Sequence, residues 1–262
     1  MQWRDVSDCV PLPAVERDPQ AVGGSEVGWC LDKAVFTRIL GREIPATGVM
    51  KRGSYLHENL LPALVEHLYV QGQDHPVLFE YPFHFGQIRG HVDAVIPSMN
   101  LVVEFKTTNT NIEDASYLSA YLMQVHLYLY CLQQLGVVER PEGRLLVLNL
   151  SRGDSWLQEA VVIPDRVIAD LALNRAHLII EYVAARQPIA NGPEFEWECI
   201  GCPFVPECVF QQGVGQELLA QLPMTRTVAI AQGVRARLDA LVEQGVAELV
   251  KEANRYVYRR KT

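Results

Sequence analysis

The chain has 262 residues, 49% of them apolar and 8% aromatic, enough to bury one large core with a small appendage or two small domains. Its formal net charge of −8 argues against a protein that coats nucleic acid through a broad basic surface, but leaves room for a local basic channel into an acidic pocket. No run approaches the roughly 18 uninterrupted apolar residues of a membrane span, and the opening Met-Gln-Trp-Arg-Asp has no apolar signal region. A cytoplasmic protein with no membrane association is therefore expected, in which clustered cysteines suggest metal before disulfide.

In chain order, residues 1–25 carry proline, glycine and acids and read as irregular. A helical region is expected from about Glu26 to Leu40. A second, around Ser54 to Tyr69, places Leu56, Leu60, Leu61, Leu64, Val65 and Leu68 at helical spacing. Strand patterns follow at about Pro76–Phe85, Ile88–Ile96 and Leu101–Thr107. Asp114 is a candidate cap for a long helix ending near Gln134 and stopped by Gly136. Leu145–Leu150 and Trp156–Ile163 read as two further strands, and Pro164-Asp165 opens a helix to about Ala185. This order predicts an α/β layer structure with a central mixed sheet flanked by helices. After Cys208 the character changes. Val234, Leu238, Leu241, Val242, Leu249, Val250 and Ala253 predict an amphipathic helix interrupted by Gly245. The tail from Arg255 to Lys261 is basic and aromatic. Residues 1–213 read as one domain, and 214–262 as a mostly helical C-terminal extension.

The chemistry concentrates in Gly90-His91-Val92-Asp93-Ala94-Val95, the turn Pro97-Ser98-Met99-Asn100, and Leu101-Val102-Val103-Glu104-Phe105-Lys106. A hairpin closing between Ser98 and Met99 pairs Ile96 with Leu101, Ala94 with Val103 and Asp93 with Glu104. Side chains so opposed stand about 5 Å apart, where like charges destabilise. Alternation puts Lys106 on the face of Glu104 and turns Phe105 towards the core. Two carboxylates forced together beside an ammonium suit a divalent cation such as Mg2+ or Mn2+, the arrangement phosphodiester hydrolysis needs. The lysine then orients or deprotonates the water, or stabilises the pentavalent oxyanion. The plain alternative is an exposed hairpin with Glu104 and Lys106 as a solvated pair.

Gln124 and Tyr128 share a helix face one turn apart, suited to hydrogen-bonding a phosphate or a catalytic carboxylate, or simply to core packing. His57, on the early helix, and His91, two residues from Asp93 on the same strand face, compete as an imidazole ligand, and pattern alone does not choose between them. Lys51, Arg52 and Arg89 are candidates to line the entrance for a single strand, with Tyr55, Tyr117 and Tyr121 as stacking faces. Residue by residue, ordinary solvated surface is the better explanation of each.

Gly90-His91-Val92-Asp93, Glu104-Phe105-Lys106 and Gln124-x-x-x-Tyr128, with His57 upstream, resemble the RecB-like branch of the PD-(D/E)xK nucleases. The resemblance implies a restriction-endonuclease-like core. It also implies metal binding by His57, Asp93, Glu104 and the backbone carbonyl of Phe105, with Lys106 as the catalytic lysine and Gln124 and Tyr128 completing the site. It favours His57 over His91. Cys199-Ile200-Gly201-Cys202 followed by Cys208, with Cys30 far upstream, is similar to the iron–sulfur nucleases, where one cysteine before the core and three after it hold a [4Fe-4S] cluster. One C-x2-C knuckle with two scattered cysteines fits a cubane better than zinc. Cys9 is an alternative to Cys30, and Cys131 reads as buried inside an apolar helix. Among these the compact form is the CRISPR-associated RecB-like exonuclease family, and the resemblance covers about residues 26–212. It implies a metal-dependent DNA exonuclease preferring single-stranded DNA, trimming DNA before spacer integration with a CRISPR integrase as partner. A phage or repair exonuclease is one rival reading, and a nuclease-inactive, metal-stapled DNA-binding scaffold is another. A homo-oligomer remains open.

Overall fold

The computed structural model describes residues 21–42, 48–109, 117–150, 157–190, 192–194, 196–199, 202–204, 207–208, 224–225, 242, 247–252 and 255–261. The chain divides into two units, residues 1–28 with 43–180, and residues 29–42 with 181–262.

The first unit is built on a six-stranded mixed sheet. Its strands are β1 (Val22–Gly23), β2 (Leu78–Phe85), β3 (Ile88–Ile96), β4 (Leu101–Thr108), β5 (Glu142–Asn149) and β6 (Leu157–Val162). β2 and β3 form an antiparallel hairpin, β4 runs antiparallel to β3 and parallel to β5, and β6 closes the order antiparallel to β5. The turn between β3 and β4 is short and tight: Asn100 takes φ +55° and returns its N–H to Pro97. Ile96 then faces Leu101 and Ala94 faces Val103, the pairing the turn centre dictates.

Beyond that pair the two strands part. β4 keeps its full register with β5, from Leu101 opposite Glu142 to Thr108 opposite Asn149. The other end of β3 pairs instead with β1, Val22 opposite Ile88 and Gly23 opposite Arg89. A fork therefore opens in the sheet just where Asp93 and Glu104 come level.

Two helices cover the unit's sheet. α2 (Gly48–Val65) contributes Leu61 and Val65 to a cluster with Ala94, Ile96, Leu101, Val103, Phe105, Leu146 and Leu148. α3 (Leu118–Gln134) brings Gln124 to Glu104 and Val125 to Gly143. Phe105 lies on the α2 side, so strand alternation leaves Glu104 for the α3 side. Replacing Phe105, fully buried, by alanine removes about 3–5 kcal/mol of this packing.

Several boundaries differ from the sequence expectation. The first helix, α1 (Leu31–Leu40), starts five residues later than Glu26, because a 3-10 turn at Gly24–Glu26 precedes it and the Glu26 carboxylate accepts the Gly23 N–H at 2.7 Å. α2 starts six residues earlier than Ser54 and passes at Glu66 into a π-helical turn ending at Val70. Asp114 and Cys9 lie outside the described residues. Gly136 does take the left-handed φ of +71° that ends α3. α4 (Arg166–Ala185) is capped by Asp165, whose carboxylate accepts the N–H groups of Val167 and Ile168 at 2.8 and 3.4 Å.

The second unit corrects the reading of the C-terminus. Leu249 and Val250 are not helical: β8 (Ala247–Glu252) and β9 (Arg255–Arg260) form an antiparallel pair that β7 (Met224–Thr225) joins. Adjacent Leu249 and Val250 fit a helix stripe or a strand equally. The ladder decides the matter, setting Leu249 opposite Tyr258 and Val250 opposite Val257. The tail from Arg255 is thus a strand. Of the rest of the expected helix only Val242, helical, lies among the described residues. In the same unit the start of α1 is tied to the later chain: Asp32 accepts the N–H groups of Ile189 and Ala190, and Phe36 stacks on Phe204 at 5.7 Å.

Candidate active site

The fork leaves the Phe105 N–H facing Asp93 instead of a backbone carbonyl of β3. The Asp93 side chain takes that place, its Oδ2 accepting the Phe105 N–H at 2.6 Å. Its other oxygen, Oδ1, stands 3.4 Å from His57 Nδ1. His57 packs edge-on against Phe105, ring centroids 5.0 Å apart. Helix α2 thus delivers an imidazole, β3 a buried aspartate and β4 a buried glutamate to one place.

Glu104 is 1% exposed, and its environment is highly organised. Oε1 accepts hydrogen bonds from Gln124 Nε2, at 2.7 Å, and from the Lys106 ammonium. Gln124 gives its second N–H to the Tyr128 hydroxyl at 2.9 Å. Oε2 is buried and has no hydrogen-bond partner among the described residues. An orphaned carboxylate oxygen beside a second carboxylate is costly unless a proton or a cation compensates it. Burial, reinforced by the charge of Asp93, pushes the Glu104 carboxyl up to about 7, against the relief that Lys106 offers. Burial works against the Lys106 ammonium, yet the charges of Glu104 and Asp93 outweigh it and hold the lysine above its ordinary range. His57 is likewise raised: burial opposes its charged form, and the bond to Asp93 more than restores it. Lys106 also lies 5.5 Å from the centre of the Tyr121 ring.

His57, Asp93, Glu104, Lys106, Gln124 and Tyr128 are therefore brought together. Gln124 and Tyr128 are 4% and 2% exposed; of the two roles their spacing allowed, the structure shows Gln124 holding a carboxylate, with Tyr128 bonded to Gln124. Tyr117 and Tyr121 pack edge-on against each other, while Tyr55 is exposed. One residue was missed. Glu80, on β2, offers a carboxylate oxygen that lies with a His57 nitrogen and an Asp93 oxygen within 4.8 Å of one another. The signal was present: a hairpin turning at Gly86-Gln87 pairs Phe85 with Ile88, and the same count sets Glu80 level with Asp93.

In the second unit, Cys30, Cys199, Cys202 and Cys208 all line one small pocket, with Phe36, Pro193 and Phe204 among its walls. None of these cysteines is disulfide-bonded, nor is Cys131, buried in α3. Burial pushes the Cys30 thiol up to about 12, and the charges of Glu198 and Asp32 add to it. The buried Glu198 carboxylate accepts the Cys30 N–H at 2.7 Å.

No protein-family profile and no curated protein matches the sequence. Among solved structures the chain is similar to SSO0001, at 19% identity and a TM-score of 0.49, over 75% of this chain and 89% of that one. It is also similar to the alkaline exonuclease LHK-Exo of Laribacter hongkongensis, at 15% identity and a TM-score of 0.45, over 64% of this chain and 89% of that one. A phage related exonuclease of Haemophilus somnus 129PT is similar at 12% identity and a TM-score of 0.43, over 60% of this chain and 80% of that one. Exonucleases thus stand among the structures this chain resembles, but at such scores the likeness carries no weight for mechanism. Among the described residues no helix is long and apolar enough to cross a membrane.

Proposed function

We propose that the chain is a metal-dependent DNA exonuclease that hydrolyses phosphodiester bonds at the fork between β3 and β4. One arrangement carries this reading: buried Asp93 and Glu104 meet where the strands part, with the Lys106 ammonium bonded to Glu104. The chemistry of the donor set fits Mg2+ or Mn2+, because hard cations take oxygen ligands and Glu104 Oε2 is an acceptor without a donor. His57, Asp93, Glu104 and the carbonyl of Phe105 would hold the ion, which when bound supplies a more acidic water and neutralises charge on the scissile phosphate.

The chain's own residues do the rest. The Phe105 N–H fixes the Asp93 carboxylate, and Gln124, itself bonded to Tyr128, fixes that of Glu104. These are positioning contacts. Lys106, bonded to Glu104, is placed to orient the water or to donate to the developing oxyanion. The preference for single-stranded DNA, and trimming of ends before spacer integration beside a CRISPR integrase, are supported by the motif resemblance alone. Gene neighbourhood separates that setting from a phage or repair role. The four cysteines of one pocket suit a four-thiolate group, and their spacing favours [4Fe-4S] over zinc. Anaerobically purified protein should then be brown, and a colourless sample with one zinc overturns that assignment.

The activity is tested with end-labelled strands of both polarities, single and double, in Mn2+. Lys106→Ala should lower digestion about 10²- to 10³-fold while strand binding persists. If wild type and variant bind DNA and are equally inert, the chain is a scaffold and not a nuclease.

A further inference from the structure

Asp93 has an acid level with it on each neighbouring strand. On β4 that acid is Glu104, and on β2 it is Glu80. Ladder pairing holds at Phe79 with Ala94 and at Tyr81 with Val92, yet lapses between them, where Glu80 and Asp93 come level. At that point Glu80 takes φ +46° inside a strand, a left-handed conformation that a glutamate adopts at a cost. Like charges directly opposed on a sheet destabilise it, so both the placement and the backbone call for something that rewards them.

The two oxygens of Asp93 are divided between its neighbours. Oδ2 is engaged by the Phe105 N–H on the β4 side, and Oδ1 points to His57 at 3.4 Å. Glu104 has one oxygen bonded to both Gln124 and Lys106 and one orphaned. Among the described residues the tightest ligand set is therefore not the aspartate–glutamate pair of the hairpin. It is His57, Glu80 and Asp93, whose donor atoms lie within 4.8 Å of one another.

We infer that Glu80 is a ligand of the divalent cation, so that β2, β3 and α2 grip it together while Glu104 backs the site from β4. This rests on the nuclease reading above and adds a ligand to it. A fourth anionic or imidazole donor leaves fewer positions for water on an octahedral ion of about six ligands, and sharpens where the remaining water sits.

The test is Mn2+ binding to the full chain, followed by calorimetric titration and by the electron paramagnetic resonance of free Mn2+, with thermal unfolding alongside. Glu80→Gln should weaken Mn2+ at least about tenfold and remove most of the Mn2+-induced rise in Tm. Its metal-free Tm should hold or rise, since a like charge facing Asp93 is gone. Glu80→Asp keeps the charge but draws the carboxylate back, and should lose affinity nearly as far. It decides the matter if the glutamine variant folds poorly. Glu58→Gln, which removes a charge that acts on Glu80 from a distance, should change affinity by less than about threefold. The inference is overturned if Glu80→Gln binds Mn2+ as wild type does, or if Glu80→Asp is unaffected, which marks Glu80 as a source of field only. Wild type that binds no Mn2+ and digests nothing overturns the nuclease reading itself, a result distinct from either.

Discussion

The two units treat difficult chemistry in opposite ways. In the first, buried charge is met by dedicated partners: Asp93 by the Phe105 N–H, Glu104 by Gln124 and Lys106, Gln124 by Tyr128. Within this cluster Glu104 Oε2 is left over among the described residues. In the second, four cysteines line one pocket together with phenylalanine and proline, and the Cys30 thiol is held neutral by burial. A hydrogen-bonded site stays organised whether or not its ion is present. A set of thiols among apolar walls gains its cross-links only when something soft binds them. The first unit should therefore be a preformed site, and the second a metal-dependent fold.

The comparison breaks most visibly with the cysteines. Cys202→Ala should abolish the bound iron or zinc and open residues 181–262 to limited proteolysis, leaving residues 48–180 protected. Metal content and the proteolytic pattern check it, and equal protection of both regions would show that the second unit stands without its metal. Next in size is a pH effect confined to the first unit. The Glu104 carboxyl sits at about 7, above its ordinary 4.5, so folded protein keeps a proton that the unfolded chain gives up. The resulting stability is complete below about pH 4.5 and is lost as pH rises through 7. His57, raised above 6.5, acts in the same direction. Metal-free protein should lose about 3 kcal/mol between pH 5 and 8 from Glu104, and Glu104→Gln should flatten the slope. Thermal unfolding across that range, with and without Mn2+, reads it. The smallest effect sharpens the positioning role: Gln124→Ala should lower kcat about tenfold with KM little changed, because Gln124 touches Glu104 and not the substrate.

Much of the site was legible because strand registers are arithmetic. Once Pro97–Asn100 is a tight turn, Asp93 and Glu104 must come level, and alternation sends Phe105 and Lys106 to opposite sides. What the count cannot show is that β4 leaves β3 immediately afterwards, while on its other edge it keeps its register with β5 to Thr108. Glu80 was hidden for another reason. Its level with Asp93 follows from the Gly86-Gln87 turn, but its positive φ has no signature in composition. The C-terminal strands were misread since Leu249 and Val250, side by side, satisfy a helical stripe and a pleat alike. Meeting of the four cysteines is a three-dimensional fact to which spacing alone only hints.

Two absent side chains set the tolerance to change around Tyr128. A methyl group on Gly24 would sit 2.3 Å from the Tyr128 ring, and one on Gly90 would meet Phe83 at 2.7 Å and that same ring at 3.3 Å. Tyr128 is thus clamped between two stretches of bare backbone, and its hydroxyl is the far end of the chain of bonds that aims Glu104. A saturation library scored for cleavage would light up at both glycines, although neither carries a side chain of its own. Anyone who engineers the chain by surface or proximity criteria alone would discard them as spacers and lose the aim of the glutamate.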